Sequence, residues 1–355
     1  MTLFRHRRPA EAYSPRAHPY SAGIARFWAW WARVRGELTA AVDDQDRLRA
    51  RTLLGPEVGG IDRDLTWYTG PGLRARHMLV VSGARHPALR VVAERWRRAG
   101  PPDDAIWEFH PAMPAEPAAF EALVQVAGIE LEPGEAATLV RLDDLRFRMD
   151  VSVFHPAFGR LDQVTRTRVA NVLVGWALGE DDTDRWIGQI DATTVRPLDS
   201  VPAAMLGALT SQLSARWSRE RWATLEGAFG RSRLVAAVRH PLHRVDHPLF
   251  DEHIAVRLPY QTAEPDGQPG PDAEQDLSAA REAIVRRLGP DAVLVATQTA
   301  DGEQLVQFYA DSAASPVEAV RAVLREDAHT DASVAATYDP GWDVVEHLRV
   351  ASSPD

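Results

Sequence analysis

The chain contains no cysteine. Disulfides, thiolate zinc sites, iron–sulfur clusters and a cysteine nucleophile are excluded, and cysteine usage says nothing about redox compartment. Lysine is absent too, since all 40 basic residues are arginine. Without a side-chain primary amine there is no Schiff-base chemistry, no pyridoxal phosphate attachment, no phosphate-loop lysine and no kinase strand lysine. A chain rich in Ala, Arg, Gly, Pro and Asp and empty of Lys has the composition of a high-GC coding sequence, and the absence is read as that bias.

Long apolar runs are missing as well. No segment approaches a bilayer span, and the basic opening MTLFRHRRPAEAYSPRAHPYSAG lacks an apolar signal core, so the expectation is a cytoplasmic protein with no membrane contact. A formal net charge of -10 argues against a broad nucleic-acid-binding face, because phosphate contact needs clustered cations. Three catalytic signatures are also absent: HExxH, a GxSxG elbow, and a GxGxxG loop after a strand.

What remains is an ordinary folded composition, 45% hydrophobic and 25% charged over 355 residues, which is enough for two cores. Residues 1–20, with Pro9, Pro15 and Pro19, read as a flexible basic arm. Its Arg5, Arg7 and Arg8 suit an acidic partner, but a solvated terminus is the plainer account. In SAGIARFWAWWARVRGEL, Ile24, Phe27, Trp31, Val34 and Leu38 recur at helical spacing, with Trp28 widening the stripe and Trp30 off it.

Two similar units follow. RDLTWYTG, RARHMLVVSG, HPALRVVAERWRRAG and AIWEFHP predict strand, strand, helix and strand. AATLVRL, LRFRMDVSVF, RLDQVTRTRVANVLVGWALG and WIGQIDATTV repeat that order, with Val169, Val172, Leu173 and Trp176 on the helix face. A long helix is expected from about Pro202 to Glu226, and GAFGRSR is taken as the domain boundary. Beyond it come the strand EHIAVRLPY, a Pro- and Gly-rich loop, the helix LSAAREAIVRRLG, a hairpin turning at Asp301-Gly302, the helix PVEAVRAVLRED and the strand ASVAATY. The expected fold class is α+β, two domains of antiparallel sheet with helices. Residues 21–230 carry ββαβ units, and 231–355 form a ferredoxin-like βαββαβ domain.

Two stretches invite a chemical reading. HPLHRVDHPLFDEH puts four histidines and three carboxylates into fourteen residues. On a helix His240, His243 and His247 would align three imidazoles, with Asp246, Asp251 or Glu252 as oxygen donors. Pro248 ends any helix begun at Pro241 in under two turns, so the preferred reading is an irregular surface connection with no metal or cofactor. A pH-sensitive interface is a further alternative. The second stretch, GEDDTD, places Glu180, Asp181, Asp182 and Asp184 just beyond a helix C-terminus, where the macrodipole disfavours negative charge. Either Asp182 or Thr183 caps a short following helix that includes Trp186, or the cluster receives a divalent cation or an arginine-bearing partner. Glu180 and Asp181 are therefore kept as candidate binding residues.

The C-terminal TQTADGEQLVQFYAD and TYDPGWDVVEHL resemble the bacterial family known as domain of unknown function 695, whose C-terminal part is similar to the regulator of ribonuclease E activity B. Thr299, Gly302, the pair Phe308-Tyr309, Asp339, Pro340 and Trp342 carry the resemblance, with PLFDEHIAVRLPY as the entry. FWAWW, LVVSG, LGEDD and IGQI are softer similarities. Val345 stands where an aromatic residue is expected. The regulator works by binding a protein without catalysis, so the resemblance implies Tyr309, Asp339 and Trp342 as candidate binding residues. Read from the residues alone, Trp342 with Val344, Val345 and Leu348 packs a terminal helix across the sheet.

The expectation is thus a non-catalytic regulator or adaptor with a protein partner. The alternative is a metal-assisted hydrolase using the His240 to His253 segment or the Glu180 cluster. RNA binding by the basic arm ranks last.

Overall fold

The computed structural model describes residues 19–348 apart from 145, 218, 262 and 327–330. The basic arm expected over residues 1–20 lies, but for its last two residues, outside them. The chain divides into two compact units that meet between Arg219 and Glu220. No helix among the described residues is long and apolar enough to cross a membrane.

The N-terminal unit opens with α1 (Ser21–Asp43), whose Ile24, Phe27, Trp31 and Leu38 are buried as their spacing predicts. Helix α2 (Arg47–Gly59) is not evident from the sequence, because Gly55 and Pro56 disguise it. Its Ala50, Leu54 and Val58 nevertheless repeat every fourth residue and are buried. Strands β1 (Thr66–Pro71) and β2 (His77–Ser82) pair antiparallel; helix α3 (Pro87–Ala99) crosses over; and β3 (Trp107–His110) joins β2 in parallel. The aromatic core between these elements is held at its rims by indole donors. Trp28 Nε1 donates to the Trp96 carbonyl at 2.8 Å and Trp107 Nε1 to Thr39 Oγ1 at 2.9 Å. Trp30 packs half-buried against the same core.

The short hairpin β4 (Val124–Val126) and β5 (Ile129–Leu131) precedes the second unit of the pattern. There β6 (Ala137–Asp143), β7 (Arg148–Phe154), helix α4 (Gln163–Trp186), β8 (Ile187–Thr193) and β9 (Val201–Pro202) build a sheet in the order β8-β7-β6-β9. The pair β7 and β8 is parallel. The three- and four-stranded N-terminal sheets thus each add one parallel pair to the antiparallel pairing expected, because a helical crossover returns the next strand in the direction of the last. Helix α4 buries Val169, Ala170, Leu173 and Val174, while Val172 faces outward.

The long helix expected over Pro202 to Glu226 is α5 (Leu206–Ser214) alone. From Arg221 the chain is strand β10 (Arg221–Phe229), paired along its length with β11 (Ser232–His240). GAFGRSR is the turn of that hairpin, with Gly230 at φ 61. The nine-residue register with β11 outweighs the helical preference of RWATLE.

The C-terminal unit continues with β12 (Phe250–Pro259), α6 (Pro271–Leu288), β13 (Ala292–Ala300), β14 (Glu303–Asp311), α7 (Pro316–Glu326) and β15 (Ser333–Tyr338). All six strands pair antiparallel in the order β10-β11-β13-β14-β12-β15. Asp301 and Gly302, at φ 53 and 80, make the hairpin turn their sequence predicts. Helix α6 begins at Pro271, ahead of LSAAREAIVRRLG, because a proline at the first turn followed by Asp272 and Glu274 favours initiation. Ile254, Val256, Val306 and Phe308 pack under α6 and α7 through Leu277, Ile284, Val320 and Leu324. The opposite face is closed by Trp342, Val345 and Leu348.

Gly179 breaks α4 at φ 74 and ψ 176, a conformation open almost only to glycine. A Cβ there would lie 2.8 Å from the Met113 carbonyl oxygen and the Ala115 nitrogen. Gly179→Ala is expected to destabilise the protein by about 3 kcal/mol in urea unfolding. Gly159→Ala, where a Cβ meets nothing within 4 Å, should be nearly neutral. Equal stability of the two variants would contradict this account.

Candidate functional site

Tyr309 lies on β14, and period-two alternation places it on the face opposite the helices. Its ring stacks on Trp342 with centroids 4.2 Å apart and planes at 12°. The phenol donates to Asp339 Oδ2 at 2.5 Å. The same carboxylate accepts from the backbone amides of Asp343 at 3.0 Å and Val344 at 2.9 Å. Trp342 is left-handed, at φ 60, and its indole donates to the Phe250 carbonyl at 2.8 Å. One side chain thereby folds the segment after β15 back over the sheet.

The three residues that the resemblance implies as binding residues are thus brought together, but as a packed lock. Tyr309 and Trp342 are 0% exposed and Asp339 is 7% exposed. Their burial fits the reading of Trp342 as a residue packing the terminal segment across the sheet. That segment is a 3-10 turn, Asp343–Leu348, in which Val345 is also buried.

The histidine-rich stretch does not form a helix, so a spacing of three and four does not bring its imidazoles together. His240 ends β11, His243 is extended at φ -113 and ψ 116, and a 3-10 turn over Arg244–Asp246 precedes His247. His247 stacks on Phe250 at 5.0 Å and on Trp342 at 5.9 Å, extending the aromatic column. Burial, with Arg221 nearby, holds His240 down at about 4. Burial, with Arg239 nearby, also lowers His247. Among the described residues no group of three or more His, Asp or Glu side chains is placed to hold a metal ion.

Asp251, Glu252 and His253 belong to the start of β12 and are buried. Asp251 ties this corner down: its Oδ1 accepts from Ser312 N at 3.0 Å and its carbonyl from Asp339 N at 2.8 Å. Glu252 is 4% exposed beside Asp251 and Glu318. Burial, and then those two acids, push its carboxyl up to about 7. His253 meets Gln307 Oε1 at 3.0 Å, and burial holds it at about 4. The strand expected from EHIAVRLPY already includes Glu252 and His253; β12 begins two residues earlier, at Phe250, and so takes in Asp251 as well.

The acidic stretch Glu180 to Asp184 finds arginine partners within its own unit. Ser82 donates to Glu180 Oε2 at 2.5 Å while accepting from Ala84 N at 2.8 Å. Arg90, buried, makes a two-pronged pair with Asp181 at 2.9 Å on each prong, and Arg85 pairs with Asp184 at 2.8 Å. Burial raises the Glu180 carboxyl, with the Ser82 hydroxyl and the Met113 amide opposing it. Neither Asp182 nor Thr183 caps a helix as expected. The helical turn restarts at Glu180 directly after Gly179, and the Thr183 hydroxyl donates back to the Gly179 carbonyl at 2.6 Å. The arrangement satisfies the acids and pins the loop after β2.

The open feature of the C-terminal unit is its edge. Strand β10 is the outermost of the six, nine residues long and exposed over most of its length. Trp222 is 44% and Phe229 39% exposed on it. Among the described residues β11 is the one strand paired with it, which leaves β10 at the edge of the sheet.

Residues 234–348 match the model of a family described as a family of unknown function, DUF695. The matched stretch begins within β11 and runs through both helices to the end of the Asp339 lock, leaving β10 outside it. No curated protein and no solved structure matches the chain.

The buried carboxyl of Glu252 yields a pH prediction. Between its ordinary 4.5 and about 7, the folded chain keeps a proton that the unfolded chain has released. That contribution to stability is lost as pH rises through the window. His240 and His253, held at about 4 against an ordinary 6.5, act in the opposite sense. The unfolded chain protonates first, so their contribution falls as pH drops. Glu252→Gln removes only the first effect. Its stability relative to the parent should therefore grow from about pH 5 to about pH 8 in urea titrations. A difference independent of pH would show that Glu252 does not titrate in this window.

Proposed function

We propose that this chain is a cytoplasmic, non-catalytic regulator or adaptor whose C-terminal unit binds another protein, and that an extended segment of that partner adds to the side of β10 away from β11. The observation that carries this reading is the nine-residue edge strand with Trp222 and Phe229 exposed upon it. In strand addition the backbone supplies affinity, and alternate side chains, large aromatics above all, supply selectivity. Two further features support it. The order β13-β14-β12-β15 with α6 and α7 on one face suits a ferredoxin-like βαββαβ sheet, here with β10 and β11 added at one side. The regulator of ribonuclease E activity B, which the C-terminal part resembles, acts by binding a protein.

The metal-assisted alternative has no donor cluster among the described residues on which to rest. The buried lock of Tyr309, Asp339 and Trp342 would, on this reading, keep the sheet rigid while its edge meets the partner.

Affinity capture with the purified protein as bait tests the proposal. A specific partner should be recovered, and the double variant Trp222→Ala, Phe229→Ala should recover at least about tenfold less while unfolding at an unchanged temperature. Undiminished recovery by the variant would contradict the edge as the docking site. Failure to recover any partner, together with robust turnover in substrate panels, would overturn the regulatory reading.

A further inference from the structure

In the N-terminal unit the end of α1, the first turns of α2 and strand β1 enclose a cleft of about 740 Å³, within the size range of small-molecule sites. Its acids are already engaged. The Asp43 carboxylate takes Arg76 at 2.7 Å and His77 Nε2 at 2.9 Å. Asp46 caps α2, its Oδ1 accepting from Arg49 N at 2.9 Å. Two lining cations are left over: Arg47 and Arg51, one turn apart on α2, have no carboxylate partner among the described residues.

The other wall is strand β1. Trp67 and Tyr68 line it as neighbours on β1, so their side chains leave opposite faces; Trp67 packs against the core, and the Tyr68 ring lies along the strand at Gly70, where a Cβ would overlap it. Burial raises the phenol of Tyr68, Glu116 adds to this, and Arg47 opposes it, which places the Arg47 charge within electrostatic reach of the ring. Gln45, left-handed at φ 57, brings an amide to the rim between α1 and α2.

A pair of guanidinium groups lining the same cleft as a tyrosine ring has a defined chemical complement. Guanidinium binds the planar or tetrahedral oxygens of a carboxylate or phosphate with two parallel hydrogen bonds, and a flat apolar ring packs on Trp and Tyr. We infer that this cleft binds a small organic anion, an aromatic or heteroaromatic ring carrying a phosphate or a carboxylate, with the anion on Arg47 and Arg51 and the ring against Tyr68. The site belongs to the N-terminal unit and does not depend on the regulatory reading.

Isothermal titration of the full chain with adenosine monophosphate and with benzoate tests it, with adenosine and inorganic phosphate as half-ligands. Saturable binding of at least one of the two anions is expected, and which one binds tells phosphate from carboxylate. Each half-ligand should be at least about tenfold weaker than the whole, because neither engages both walls. Arg47→Ala with Arg51→Ala should weaken binding at least about tenfold while leaving the unfolding temperature unchanged, since both side chains are exposed. Tyr68→Ala should weaken it through the ring wall. No saturable binding of any probe at millimolar concentration overturns the inference, as does binding that none of these substitutions alters.

Discussion

One buried carboxylate organises the C-terminal unit. Asp339 accepts from the Tyr309 phenol and from two amides of the turn that follows it. A carboxylate this deeply buried is tolerable only because those donors replace the water it has lost. In meeting that need the chain reverses after β15, and Trp342 is held left-handed against Tyr309 with its indole on the Phe250 carbonyl. The sheet face opposite α6 and α7 is closed as a result. Without that closure the apolar residues Val238, Val293 and Val295 would lose much of their cover.

Among the described residues β10 and β15, the ends of the strand order, each pair with one strand, and the two ends differ. Strand β15 is short, six residues, and α7 packs beside it. Strand β10 is longer and carries exposed aromatics. The same logic of satisfied charge governs the N-terminal unit, where Arg90 is buried between Asp181 and Glu94. Removing one partner from such a buried pair costs far more than the pair itself contributes. Acids that look misplaced beyond a helix end are therefore anchors for the loop after β2.

Much of this is legible in the sequence where local rules and tertiary packing agree. The helical stripe of Ile24, Phe27, Trp31 and Leu38 and the Asp301-Gly302 hairpin turn are of this kind, and so is the run of strands and helices after Phe250. Legibility fails where a local preference is overruled. RWATLE has helix-forming residues and becomes a strand because β11 offers a full partner. Arg47–Gly59 hides its helix behind Gly55 and Pro56. Histidines spaced by three and four suggest a shared face only if a helix carries them, and here a strand end, an extended residue and a 3-10 turn separate them. The candidate residues Tyr309, Asp339 and Trp342 are brought into contact by the fold. Nothing in the motif distinguishes a lock from a surface, because aromatic and acidic residues serve both and burial is decided by the sheet around them. The partners of Glu180 and Asp181 lie about ninety residues upstream, a distance that no local pattern spans.

The account rests on a rigid sheet with β10 as its longer, more exposed edge, and amide hydrogen exchange measured strand by strand on the purified protein tests it most directly. Amides of β12 and β14 should exchange only through global unfolding, and those of β10 should exchange fastest of the six strands. Protection of β10 equal to that of β14 would mean that its side away from β11 is already occupied, and would contradict the edge as a recognition surface.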